Sequence, residues 1–324
     1  MELNELKEHM KGVVVVQTTP FNRDGSLDLE GMRANTRWLA EQSAGKDFIF
    51  TPTGSTGEFY AMSPEECKAV IKMVVEETNG KAVVMAGAAR AGTLETIKMC
   101  QYAQSVGADG VQVVLPYYHI PEEEGMYLHY KKLAESVDSN FGITVYNNPA
   151  VSGSWIKPAL MKKLSKLPNI IAVKENTPDI RAYYAMRRAI DPEDTAIFCG
   201  LGEVMFSFEA LCGCPGFVSG MANFAPDLPY SLFEAAATKD FGKLSEIVNS
   251  MEPYFSFIDR ARENHGPNTG IPGAQAGGMT IRVIKAAMDI IGLRGGEVRL
   301  PLISINEEEK AELRNILKAG KIIK

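Results

Sequence analysis

Eight short apolar runs, each followed by a stretch of helical periodicity, leave few folds open to this chain. The runs are Gly12–Gln17, Asp47–Thr51, Ala82–Ala86, Gly110–Leu115, Gly142–Tyr146, Ile170–Lys174, Ala196–Cys199 and Gly216–Ser219. None alternates cleanly between apolar and polar residues, which is the pattern of strands buried on both faces. Helical periods fill the gaps at Leu29–Ala44, Pro64–Thr78, Thr93–Val106, Glu122–Val137, Lys157–Leu167, Asp179–Ile190, Glu203–Leu211 and Asp227–Ala237. Start signals support them, notably Ser63-Pro64-Glu65-Glu66, with a capping serine and a proline at the first helical position.

Strand–helix units of roughly 25–30 residues, repeated eight times, are the arithmetic of an α/β fold of the (β/α)8 TIM-barrel type. An open doubly wound sheet would be expected to carry a G-x-G-x-x-G turn after its first strand. Here that strand runs into Gln17-Thr18-Thr19-Pro20-Phe21, so the barrel is favoured. After about residue 238 only helical periods remain, at Gly242–Ile258, Met279–Ile291 and Asn306–Ala319. The expected organisation is a barrel over 1–238 that carries the active site and a small helical layer over 239–324. The Gly- and Pro-rich stretch from His265 to Gly278 reads as a loop over the barrel.

Bulk properties exclude several classes. A net charge of −6 and a pI near 5.5 argue against nucleic-acid and anionic-membrane partners. No apolar stretch approaches the roughly 20 residues of a membrane span, and the charged first ten residues do not read as a secretory signal. A cytoplasmic location is the simplest expectation. The five cysteines, Cys67, Cys100, Cys199, Cys212 and Cys214, lack ligand spacing and read as small core residues, so no metal is expected. The acidic runs Glu122–Glu124 and Glu307–Glu309 fit first helical turns, where the helix dipole favours carboxylates.

In a barrel the chemistry gathers where the strands end, so polar residues closing each run are the candidates. Lys174 closes Asn169-Ile170-Ile171-Ala172-Val173-Lys174 and Tyr146 closes the run before it. The end of a buried apolar run is an unfavourable place for a charge. A Schiff-base enzyme needs a neutral amine to attack a ketone. On parallel strands of one barrel, amine and phenol emerge at the same rim. The second run leads into Thr51-Pro52-Thr53-Gly54-Ser55-Thr56-Gly57-Glu58, whose glycines turn hydroxyls and backbone N–H groups together, an arrangement suited to a carboxylate. Glu58 is expected to order this loop rather than act as an acid or base, and Tyr117 to pack. Among the histidines only His119 and His265 are expected near the mouth. Neither has a serine or cysteine to activate, which disfavours a hydrolase triad.

The motifs G-S-T-G-E, P-Y-Y, Y-N-x-P and V-K-E-N-T, in this order on successive strands, resemble the dihydrodipicolinate synthase / N-acetylneuraminate lyase family over essentially the whole chain. The resemblance implies an imine between Lys174 and pyruvate or another 2-keto acid, with Tyr146 relaying protons. It gives Ser55 as a hydroxyl linking phenols and Tyr118 as a tyrosine donated by a neighbouring subunit. Ser55 and Thr56 would hold the substrate carboxylate, with Gly200 and Val218 lining the imine. No cofactor is implied, and the expected assembly is a homotetramer built as a dimer of dimers.

Departures from the pattern bear on the substrate. Synthases of this family usually carry an arginine for a second carboxylate where this chain has Val151, and a valine cannot make that contact. Glu203 occupies a place where the lyase branch presents a carboxylate to sugar hydroxyls, and Asn176 adds hydrogen-bonding capacity. Asn176, Gly202 and Gly220 nonetheless differ from the sialic-acid lyase residues. The expected reaction is therefore class I aldol cleavage or condensation of a hydroxylated substrate resembling a 2-keto-3-deoxy sugar acid. The alternatives are a 2-keto acid dehydratase or deaminase, or 4-hydroxy-tetrahydrodipicolinate synthesis. A catalytically silent ligand-sensing relative is a remote third class, against which Lys174 and Tyr146 argue.

Overall fold

The computed structural model describes residues 1–266 and 278–323. Eight parallel strands close a barrel in sequence order: β1 Gly12–Val16, β2 Phe48–Thr51, β3 Val83–Gly87, β4 Gly110–Val114, β5 Gly142–Asn147, β6 Ile170–Glu175, β7 Ala196–Cys199 and β8 Gly216–Val218. Every expected run is a strand, and β8 returns to pair with β1. Runs such as Val13–Val16 are buried on both faces, which explains why they are uniformly apolar.

One irregularity in the ladder sets up the site. Across β5 and β6, Ile143 is level with Ile170, but the register then slips and Tyr146 comes level with Lys174. Without that extra residue in β6, Tyr146 would face Val173. A bulge that re-aims a side chain beside a functional position is a recurrent device of barrels.

The barrel floor is closed by a feature the sequence pattern did not predict. Residues Leu3–Glu8 form a short helix, and Leu6 and Met10 pack with Val14, Ile49, Met85 and Phe198. The helix Pro64–Thr78 carries the full capping box, Ser63 with Glu66. Both acidic runs lie at helix starts as expected, at Glu123–Glu135 and Glu307–Ala319.

The C-terminal layer corrects one expectation. The period Gly242–Ile258 is two helices, Phe241–Ser250 and Glu252–His265, separated at Met251. Pro253 explains the break, since inside a continuous helix it would remove a hydrogen bond and clash with the preceding turn. These helices pack with Met279–Ile290 and Glu307–Ala319 around Met251, Phe257, Ile284 and Leu313. Of the expected loop His265–Gly278, residues 267–277 lie outside the described residues. His265 itself ends a helix, and its Nε2 lies 2.6 Å from Glu309 Oε1. Among the described residues no helix is long and apolar enough to cross a membrane.

Candidate active site

Lys174 and Tyr146 meet where the sequence expects them to. Both side chains are buried, and Lys174 Nζ stands 4.0 Å from the centroid of the Tyr146 ring. Beneath them the barrel interior is a mixed cavity, where Thr51, Gln112, Thr144 and Lys174 share the lining with Phe198 and Val218. Among the described residues no carboxylate lies within ion-pair distance of Lys174 Nζ. The amine is enclosed without being tied to a counter-charge.

The loop after β2 is shaped by close backbone approaches. A Cβ on Gly54 would come within 2.5 Å of Val16 Cγ1, and one on Gly57 within 2.8 Å of the Gln17 carbonyl oxygen. Only glycine lets this loop lie against the end of β1. Ser55 and Thr56 sit half-buried at its crest, and among the described residues no acceptor takes their backbone N–H groups. Glu58 points the other way. It is fully buried with a left-handed φ of 57°, and its Oε1 accepts from Lys285 Nζ at 2.6 Å. Its Oε2 accepts from the Arg299 backbone N–H at 3.0 Å. The motif glutamate thus orders its loop by fastening the C-terminal layer to the barrel. Lys285 and Arg299 were not legible as its partners, because they lie more than 200 residues away in sequence.

The remaining candidates divide between the mouth and elsewhere. Asn176 Nδ2 donates to the Gly200 carbonyl at 3.0 Å, while its buried Oδ1 meets no donor among the described residues. A Cβ on Gly200 would lie 1.7 Å from that oxygen, so the asparagine requires the glycine. Glu203 is buried and accepts the Ser219 hydroxyl at 2.5 Å; burial pushes its carboxyl above the ordinary value, with Ser219 opposing. Val151 is half-buried in the four-residue helix Pro149–Ser152 that follows β5. Gly220 has a packing reason, since a Cβ there would meet Ile284 Cδ1 at 2.7 Å.

Tyr118 is not gathered into the site of its own chain. It is 81% exposed, edge-on to His119 with ring centroids 4.9 Å apart. Tyr117 packs edge-on against Phe59. The cysteines are all free thiols: Cys67, Cys100 and Cys199 are buried, and Cys212 and Cys214 are partly so.

Known proteins similar to this chain in sequence and fold are plentiful. The family model described as the dihydrodipicolinate synthetase family matches residues 9–320. A 4-hydroxy-tetrahydrodipicolinate synthase of Methanococcus vannielii is 33% identical over 97% of this chain and 100% of its own. The enzyme of the same name from Methanopyrus kandleri is 33% identical over 95% of this chain and 96% of its own. Among solved structures, dihydrodipicolinate synthase from Aquifex aeolicus superposes with a TM-score of 0.83 at 29% identity, over 97% of this chain and 99% of that one. YagE from E. coli, solved in complex with pyruvate, gives the same TM-score at 27% identity and the same coverage. A match over nearly the full length, on the same closed barrel, makes this chain a member of the dihydrodipicolinate synthetase family and an aldolase-type carbon–carbon lyase.

Proposed function

We propose that Lys174 forms an imine with the keto carbon of pyruvate and that the chain catalyses carbon–carbon bond formation or cleavage through it. The observation that carries this reading is the enclosed Lys174 amine, 4.0 Å over the Tyr146 ring and free of any carboxylate partner among the described residues. The amine adds to the carbonyl, water leaves, and the protonated imine acts as the sink for electrons from the bond to the neighbouring carbon. Tyr146 gives and takes the protons these steps move. Ser55 and Thr56 would hold the pyruvate carboxylate with their hydroxyls and N–H groups, while Gly200 and Val218 shape the imine pocket. That YagE was solved with pyruvate supports this choice of keto acid.

For the second substrate, the names of the curated relatives favour the synthase reaction, condensation with aspartate semialdehyde, over the sugar-acid cleavage expected from the sequence. A second reading stays open on two observations: Val151 offers no charge for a second carboxylate, and Asn176 Oδ1 has no donor among the described residues, leaving it for a substrate hydroxyl. Dehydration or deamination of a 2-keto acid would use the same imine. The exposed Tyr118 supports donation of that phenol to a neighbouring copy, within a dimer that pairs into a homotetramer.

The deciding assay compares kcat/KM for aspartate semialdehyde plus pyruvate with pyruvate release from a panel of 2-keto-3-deoxy sugar acids. The synthase reading expects turnover of the semialdehyde and almost none of the panel. Sites built to pair polar groups discriminate by about 10⁴-fold or more, so the answer should be one-sided. The reverse preference, shifted toward second carboxylates by Val151→Arg, would establish the sugar-acid reading instead.

A further inference from the structure

Tyr146 is not held by Lys174 alone. β5 ends at Asn147, and Asn148 follows in extended conformation (φ −133°, ψ 93°) as the N-cap of Pro149–Ser152. Asn148 is 1% exposed, and its carbonyl and both ends of its side-chain amide have partners. Its carbonyl accepts from the N–H groups of Val151 at 3.2 Å and Ser152 at 3.0 Å. Its Oδ1 accepts from the Ala150 N–H at 3.1 Å, and its Nδ2 lies 2.7 Å from Tyr146 Oη. The two ends of an asparagine amide are hard to tell apart by shape, so the network must assign them. Here the assignment is forced: Ala150 presents an N–H, which only the oxygen can accept. The nitrogen therefore faces the phenol, as a donor. The preceding Asn147 is turned elsewhere, its amide bonded to Ile156 and to Glu175 Oε2.

The geometry points to Asn148 as a positioning residue for proton transfer at Tyr146, acting by donating a hydrogen bond to the phenol oxygen. The inference rests on the reading of Tyr146 as the relay. With Oη accepting from Asn148, the phenol's own O–H is left to point toward the substrate. When that proton passes to a substrate oxygen or carbon, the bonding pair stays on Oη and negative charge builds there. A pre-aimed donor gains strength as this charge appears, and hydrogen bonds to a charged oxygen are about twice as strong as neutral ones. When Oη takes a proton back, the same bond holds the ring over Lys174. Asn148 touches no substrate in this account; it acts through the phenol.

The test uses the complete chain and pyruvate alone. Exchange of the pyruvate methyl protons in D2O, followed by NMR, requires only imine formation and proton transfer. Asn148→Ser and Asn148→Asp both keep an oxygen to cap the Ala150 N–H, and neither supplies the amide donor. Both should melt within a few degrees of wild type yet exchange protons about 10-fold more slowly or worse at saturation, with KM for pyruvate changed less than about twofold. In a Tyr146→Phe background, which removes the oxygen, Asn148→Ser should cause no further loss. A purely structural cap predicts the opposite pattern: near-normal kcat in both capped variants and a loss only in Asn148→Ala. That pattern would overturn the inference, as would an Asn148→Ser defect that persists in full beside Tyr146→Phe. Failure of the underlying reading shows itself separately, as normal exchange by Tyr146→Phe with Asn148 intact.

Discussion

Lys174 and Lys285 are both almost completely buried, at 4% and 1% exposure, and each lies over an aromatic ring, but their polar surroundings differ. Lys285 lies on the helix Met279–Ile290 with Glu58 Oε1 and the Glu297 carbonyl each 2.6 Å from its Nζ. The Phe21 ring lies 4.6 Å below it. Burial pulls its ammonium below the ordinary lysine value, and Glu58 pushes back. Nearby, the Arg299 guanidinium binds both oxygens of Glu66 and stacks 4.0 Å from the same phenylalanine. At Lys174 no carboxylate pairs with the amine among the described residues: it meets an aromatic face and the cavity of the barrel interior. A lysine tied to a buried carboxylate fastens two parts of a fold together, whereas one left open can attack a carbonyl.

Substitutions at the two positions should separate these roles. Removing one partner of a buried ion pair costs about 3–5 kcal/mol, because the other charge stays buried alone. Lys285→Met should therefore lower the denaturation midpoint sharply, and the double variant Lys285→Met/Glu58→Gln should recover part of the loss. Lys174→Met strands no carboxylate, and its unfolding free energy should change by about 1 kcal/mol or less while turnover disappears. Equal destabilisation by both single variants would break the comparison.

Glu209 sharpens it from the acidic side. Like Glu58 it is fully buried, but no N–H or O–H group donates to either of its oxygens among the described residues, and only the Cys199 thiol lies close by. Burial pushes its carboxyl up to about 8, with Cys199 opposing and Glu175 adding to the rise. The folded state therefore keeps a proton that the unfolded chain loses near its ordinary value of 4.5. Stability from this group is fully present below that value and declines as pH rises to about 8. At most about 3 kcal/mol should be lost between pH 5 and 7.5. Glu209→Gln should flatten that slope; a slope unchanged by the substitution would show that Glu209 ionises in the fold as it does in water.

The barrel was legible because its signals are local. Each strand is a short apolar run, and helices such as Pro64–Thr78 announce themselves with a cap and a proline. The pairing of Lys174 with Tyr146 was legible for the same reason, as two polar residues closing successive runs. What stayed hidden depends on distance in sequence. The slip between Ile143 and Thr144 that levels the two residues is a property of pairing and leaves no trace in either strand alone. The Glu58–Lys285 clasp joins residues 227 positions apart. The helix Leu3–Glu8 is too short to show a period, and its role rests on Leu6 and Met10 fitting the barrel floor. Asn148 was visible inside Y-N-x-P, but which way its amide faces follows only from the turn that Ala150 completes.

The comparison of the two lysines reduces to one direct measurement. The full-length protein is incubated with pyruvate, reduced with borohydride, and mapped by peptide mass. Imine chemistry at the open amine predicts one adduct, the mass of reduced pyruvate on Lys174, absent from Lys174→Arg. Lys285, held by Glu58, should remain unlabelled throughout. An adduct on Lys285 or another lysine, or no adduct at all from a folded protein, would contradict the account.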